Sequence, residues 1–519
     1  MATPKKPRII VTKDEVKASD IAHDHVQALV PDGMVLCSMQ DKTAAREDQD
    51  NDISWNDDIG TIATSLTDDE AATLRKKTGV LDVEDDEMMF ALSDDGSPFD
   101  DDDTGFGSMA FEDDPEAAAE IDDASPLEVM YGEMTDEEAA AMAALDAQRQ
   151  PTECDEVDLA EDGTVMALSA AGDPGFVTAA EGAGLTKDKI VPFVLAVLKC
   201  AIKEMREGNA TDISEAQVEA LMARSGLANS GEAAAAMRDY ITCGLRIIYA
   251  TYAWRYSKGT GVRVAVVDTG IAPRHPDLRV YGGVSFVSGV RSWADDQGHG
   301  THVAGTIAAA QNNQGVIGVA PQARLYAVKV LNRQGSGRTS AILDGLNWCY
   351  RNRMHVVNLS LGGSASSHST GQYSRAYEQA GRRLRNRGIL AVAAAGNSGR
   401  TSRPYVGNPA RCPSFMAVAS VDCNRRRAAS SSFGPQVEIS APGVSVWSTD
   451  YRVGYSQKSG TSMACPHVAG VAALVKRRRP TWTGDSIRVH MRRTAADLGT
   501  SGRDWLYGYG LVNALRSVR

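Results

Sequence analysis

The stretch Gly460-Thr461-Ser462-Met463-Ala464-Cys465-Pro466-His467-Val468-Ala469-Gly470 constrains this chain more than any other. A Gly-Thr-Ser turn runs straight into an apolar, small-residue helix. Ser462 is thereby set at a helix mouth, where outward-pointing N–H groups and the helix dipole favour negative charge. A hydroxyl that attacks a carbonyl needs this setting, because the transition state puts charge on an oxygen. A lone serine at such a place would read as an N-cap. Two further strings decide between the readings.

Val264-Ala265-Val266-Val267-Asp268-Thr269-Gly270 reads as a buried parallel strand. It carries a carboxylate at its C-terminal end, where open α/β sheets gather ligands and catalytic groups. His299-Gly300-Thr301-His302-Val303-Ala304-Gly305-Thr306 reads as a closely packed helix with His299 at its start. In the order Asp, His, Ser, the strings resemble the subtilisin-like serine proteases (subtilase family, peptidase family S8) over residues 241–519.

That resemblance implies an α/β fold with a doubly wound, mostly parallel sheet. It also implies peptide-bond cleavage by a Ser-His-Asp triad. Ser462 attacks, His299 takes its proton and returns it to the leaving amine, and Asp268 orients His299. The apolar run from Ile389 breaks at Gly396 into Asn397, which matches the family's oxyanion donor, partnered by the Ser462 N–H. Ser360, Leu361 and Gly362 match the strand that pairs with extended substrate. Gly335, Ser336 and Gly337 match the facing strand, and Ala394, Ala395 and Gly396 the other pocket wall. Small walls without fixed charge imply broad specificity with an apolar preference. Ser398 stands where some relatives carry Glu, which weakens any preference for basic side chains.

The chemistry needs no cofactor. A structural calcium ion is implied at Asp277 and at Asn313, in a loop one residue shorter than in well-known members; oxygen ligands suit that ion.

Charge divides the chain. Residues 1–170 carry 45 acidic and 11 basic side chains, and residues 251–519 carry 12 acidic and 35 basic. A basic domain raises the question of nucleic acid. The bases are scattered without aromatic interleaving, which argues against that partner and favours the chain's own acidic N-terminal region or simply solvent. Residues 1–92 are expected to form a small α+β prodomain of inhibitor-I9-like type. Its strands are Pro7–Val11, Thr61–Leu66 and Val80–Glu84, and its helix starts at a capping-box pattern, Thr67-Asp68-Asp69-Glu70. The apolar tail to Leu92 would occupy the cleft, with processing at Leu92. Residues 93–172 read as an acidic, low-complexity, disordered insert with a helix over 134–148, and 173–240 as a small helical segment.

The basic N-terminus is followed by no apolar run, so synthesis and retention in the cytoplasm is expected, with secretion as the alternative. No stretch suits a membrane span. The eight cysteines show no metal spacing; Cys412 and Cys423 are a candidate pair, and Cys465 reads as a small buried hydrophobe. Polypeptides are the expected substrates. The competing readings are a catalytically silent peptide-binding scaffold of the same fold, and a protease tethered to nucleic acid through its basic face.

Overall fold

The computed structural model describes residues 5–13, 17–22, 36–38, 53–56, 60–92, 239–363, 373–400 and 405–519. The acidic insert, its expected helix and most of the helical segment lie outside the described residues.

The N-terminal part is a five-stranded sheet. Its elements are β1 (Lys6–Thr12), α1 (Ala18–Ile21), β2 (Leu36–Ser38), β3 (Ile53–Asn56), β4 (Thr61–Leu66), α2 (Asp68–Leu74) and β5 (Val80–Asp85), in strand order β2-β3-β4-β1-β5. The capping box at Thr67 forms: its hydroxyl accepts from Glu70 N at 3.2 Å, and Glu70 Oε2 accepts from Thr67 N at 2.7 Å. Successive side chains of a strand point to opposite faces. On β1, Ile10 therefore packs with Ile62, Leu66, Leu74 and Val83, whereas Ile9 and Val11 join the cluster that holds Tyr377 and Ala380 of the C-terminal part. β2, β3 and α1 carry no motif that the sequence reading picked out.

β6 (Met88–Ala91) leaves this sheet and pairs elsewhere. After α3 (Cys243–Ile247) and α4 (Ala250–Ala253) come seven parallel strands. These are β7 (Arg263–Asp268), β8 (Val280–Ser285), β9 (Arg324–Lys329), β11 (Val356–Leu359), β13 (Leu390–Ala394), β14 (Met416–Val421) and β15 (Val437–Pro442). Between them lie α5 (His299–Ala308), β10 (Ser336–Arg338), α6 (Thr339–Arg351), β12 (Leu361–Gly362) and α7 (Arg375–Asn386). A hairpin, β16 (Val446–Asp450) and β17 (Gly454–Lys458), precedes α8 (Thr461–Arg478), α9 (Gly484–Thr494) and α10 (Ala514–Val518).

The large sheet runs β15-β14-β13-β11-β7-β9-β8. From β7 the chain winds first toward β8 and β9, then returns to β11 and continues the other way. The switch between β7 and β11 opens a crevice at their C-terminal ends, where such sheets bind ligands. α8 is buried from Thr461 to Val475, as a helix with small and apolar residues on every side must be. No described helix is long and apolar enough to cross a membrane.

The cysteine expectation is corrected. Cys423 is bonded to Cys243, 180 residues away, with their Cα atoms 6.0 Å apart; Cys412 is free and buried. The fold sets the start of the C-terminal part against the turn after β14, a proximity that sequence spacing does not carry.

Candidate active site

Asp268 ends β7, His299 opens α5, and Ser462 is the second residue of α8, so three separate elements converge on the crevice. His299 Nδ1 donates to Asp268 Oδ1 at 2.8 Å and lies 3.0 Å from Oδ2. The opposite ring nitrogen, Nε2, is buried and has no hydrogen-bond partner among the described residues. With Nδ1 carrying the proton, Nε2 offers a lone pair, the state a general base requires. Gly300 permits the approach: a Cβ there would meet Gly270 O at 2.2 Å.

Ser462 Oγ donates to the Ser360 carbonyl at 2.8 Å rather than to His299. Ser360 Oγ returns a bond to Ser462 O at 2.9 Å and itself accepts from Asn358 Nδ2 at 2.9 Å. Pro466 lies inside α8 and has no N–H for the carbonyl four residues back. That carbonyl is Ser462 O, and the Ser360 hydroxyl satisfies it instead.

Asn397 follows β13. Its Oδ1 accepts from Thr461 N at 3.0 Å and from Thr461 Oγ1 at 2.9 Å. Both bonds fix the amide so that Nδ2 is the free edge, and Nδ2 is buried without a partner among the described residues. Thr461 Oγ1 also accepts from Gly396 N at 3.2 Å. The role of Thr461 was not legible in the sequence, although its place before Ser462 could have suggested it.

The walls of the crevice carry β6. It pairs antiparallel with β10 on one side and β12 on the other, in the registers Ser336↔Phe90, Gly337↔Met89, Leu361↔Ala91 and Gly362↔Phe90. Ala91 N donates to Gly335 O at 2.9 Å, and Leu92 N to Ser360 O at 3.4 Å. The Leu92 side chain lies over Gly362, where an added Cβ would come within 3.0 Å of it. Met89 is fully buried among the apolar side chains that include Leu331 and Leu361. Ala394 and Ala395 are buried at the end of β13, with Gly396 at φ +113.

Two carboxylates of the N-terminal part cap helices of the C-terminal part. Glu84 accepts from Ser374 Oγ and Arg375 N, each at 2.6 Å, at the start of α7. Asp86 accepts from Ser340 N at 2.9 Å and Ser340 Oγ at 2.7 Å, at the start of α6. Both places favour negative charge. Burial nevertheless pushes the Glu84 carboxyl up from its ordinary range.

At the expected calcium loop, Asp277 Oδ2 accepts from Val316 N at 3.1 Å, while its buried Oδ1 has no partner within hydrogen-bond distance among the described residues; the Tyr455 and Asn312 side chains lie beside the carboxylate. Burial pushes this carboxyl up to about 7. Asp239 Oδ1 accepts from Asn312 N at 3.0 Å and Asn313 N at 2.9 Å, and Asn312 Oδ1 from Gln314 N at 3.0 Å. Among the described residues no three His, Cys, Asp or Glu side chains converge. The spare Asp277 oxygen and the oxygen-rich loop fit a hard cation.

The subtilase family model matches residues 259–510. The chain is 53% identical over 261 residues to a thermostable alkaline protease of Halalkalibacterium halodurans, spanning 50% of this chain and 68% of that protein. It is 52% identical over 261 residues to Subtilisin Savinase of Lederbergia lenta, covering 92% of it. To subtilisin DY of Bacillus licheniformis it is 49% identical over 257 residues, covering 90%. The chain belongs to the subtilase family, and by class it is a serine endopeptidase that needs no cofactor for its chemistry.

Proposed function

We propose that the chain is a self-inhibited zymogen whose peptidase chemistry is carried by Ser462, His299 and Asp268. In this reading 241–519 is the catalytic domain and 1–92 an inhibitory prodomain, joined by the acidic insert 93–172 and the segment 173–240. The observation that supports it most directly is the pairing of His299 Nδ1 with Asp268, which leaves Nε2 unpartnered in the crevice that Ser462 lines.

When substrate displaces the tail, rotation of the Ser462 hydroxyl away from Ser360 O brings it to Nε2. His299 takes the proton as Oγ attacks the carbonyl. Asp268 stabilises the imidazolium. The unpartnered Asn397 Nδ2 and the Ser462 N–H stabilise the oxyanion. His299 then protonates the leaving amine, and water repeats the sequence on the acyl-enzyme.

Ser360, Leu361 and Gly362 on one side, and Gly335, Ser336 and Gly337 on the other, hold an extended peptide by its backbone. Leu92 and Met89 mark the two positions where apolar side chains are accepted, with Ala394, Ala395 and Gly396 walling the first. Broad specificity with an apolar preference follows. Asp277 and Asn313 hold a structural calcium ion that takes no part in the chemistry.

The test expresses the full chain beside Ser462→Ala and identifies fragment N-termini by mass spectrometry. The wild type should cut itself first at Leu92–Ser93, and the variant should remain whole. A purified variant that still processes at the same site sinks the proposal.

A further inference from the structure

Asp295 is a half-buried carboxylate that the chemistry above does not use. Oδ1 accepts from Thr269 Oγ1 at 2.9 Å, Gln297 N at 3.0 Å and Gly298 N at 2.9 Å. Oδ2 accepts from Thr301 N at 2.9 Å and Thr301 Oγ1 at 2.6 Å. Five donors on one carboxylate fill its acceptor sites. They come from two different elements. Thr269 directly follows Asp268 at the end of β7, whereas Gln297, Gly298 and Thr301 bracket His299 at the start of α5. Thr269 Oγ1 closes the circuit by accepting from Gly300 N at 2.9 Å.

The helix explains why a carboxylate is required. α5 begins at Gly298, which has no side chain to cap it. The orphan N–H groups of a first turn need acceptors, and a negative charge there is favoured by the helix dipole. Asp295 supplies both from outside the helix. The same atoms tie the first turn to the end of β7, the two segments that carry His299 and Asp268.

We propose that Asp295 is a positioning residue for the peptidase reaction. It locks the end of β7 to the first turn of α5, and its charge is a second anion, beside Asp268, on the imidazolium that forms at His299. This rests on the triad reading above.

The other charged groups around His299 do not duplicate it. Lys329 is fully buried, but its Nζ is committed to Asp296 Oδ1 and Thr269 O, each at 2.6 Å, and to Leu331 O at 3.0 Å. That pair is neutral as a unit. His302, on the same helix, donates from Nε2 to Val446 O and Ser456 O and stays uncharged. Lys458 of β17 faces His302. Among the described residues no lysine or arginine pairs with Asp268 or Asp295, and the five donors on Asp295 favour its charged form against the burial that pushes its carboxyl up.

Asp295→Asn keeps the size of the side chain and removes both the charge and part of its acceptor capacity. In the processed enzyme, kcat should fall by roughly tenfold to a hundredfold with KM nearly unchanged, the scale of a slightly misplaced reacting group. The acid limb of the kcat/KM profile should move to lower pH, because loss of a neighbouring anion makes His299 easier to deprotonate. Asp295→Glu restores the charge on a longer arm and should return the limb toward wild type while kcat stays low.

Should Asp295→Asn fail to fold, Thr269→Val removes the strand-side bonds to Asp295 and to Gly300 N and should still lower kcat without raising KM. In the unprocessed Ser462→Ala chain, the His299 Nδ1 proton resonance should shift when Asp295→Asn is added. Unchanged kcat and an unmoved acid limb overturn the proposal, as does a fall in melting temperature with the limb unmoved. Activity persisting in Ser462→Ala would instead sink the triad reading, so the two failures are distinguishable.

Discussion

Ser462 and Ser360 exchange hydrogen bonds: each hydroxyl donates to the other's backbone carbonyl, at 2.8 and 2.9 Å. The pairing depends on Pro466. An ordinary residue there would offer its own N–H to Ser462 O and compete with the Ser360 hydroxyl for that carbonyl. The helix that carries the nucleophile is thereby bonded to the strand that carries the substrate.

Ser360→Ala should therefore cost stability as well as rate. It leaves the Ser462 carbonyl buried and unsatisfied, a loss of about 1–3 kcal/mol. Denaturant unfolding of the inactive Ser462→Ala background, with and without Ser360→Ala, measures it.

Asn397→Ala should lower kcat by roughly 10²–10³ and leave KM nearly unchanged, since its free Nδ2 bonds an oxygen that is charged only in the transition state. That scale is the one established for subtilisin itself, a member of the same family. A rise in KM alone would contradict the assignment.

Removing a helix cap should loosen the hold of the N-terminal part. Glu84→Ala and Asp86→Ala should each weaken inhibition of mature enzyme by the 1–92 fragment by about 1 kcal/mol, roughly fivefold in Ki. Added salt should weaken it further through the opposite charges of the two parts. Titration of the fragment at two ionic strengths reads both effects.

Acid should unfold the C-terminal domain through its buried histidines. Burial lowers His302 to about 3 and His467 to about 4, from an ordinary 6.5. The unfolded chain gains these protons below pH 6.5 while the folded one refuses them. Stability is thus complete above about 6.5 and falls as pH drops toward 4 and 3. Melting temperatures between pH 7 and 4 check this, and His467→Gln should flatten the slope.

Calcium should raise the melting temperature of the mature domain, because it binds the folded state alone. Asp277→Asn should abolish most of that rise. Calorimetry with and without a chelator decides; no response in the wild type removes the site.

The strand ending at Asp268, the helix opening at His299 and the capping box at Thr67 were legible because each is a local pattern: an apolar run, a small-residue helix, a hydroxyl three residues before a carboxylate. The short strands Leu36–Ser38 and Ile53–Asn56 have too few residues to declare a period. The caps at Glu84 and Asp86 join residues more than 250 positions apart, and the Asp295 circuit depends on how β7 meets α5. The pairing of Cys423 is not written in the sequence either, because its bond to Cys243 forms where α3 reaches the turn after β14.

That bond has a topological result. Cys243 and Cys423 close a covalent ring that contains Asp268, His299 and Asn397 but not Ser462. Ring closure of this size restricts the unfolded chain by about 5 kcal/mol in the chain-entropy account. A cut anywhere ahead of Cys243 leaves the ring shut, so the proton-handling pair and the oxyanion donor stay on one loop while α8 brings the nucleophile to it from outside.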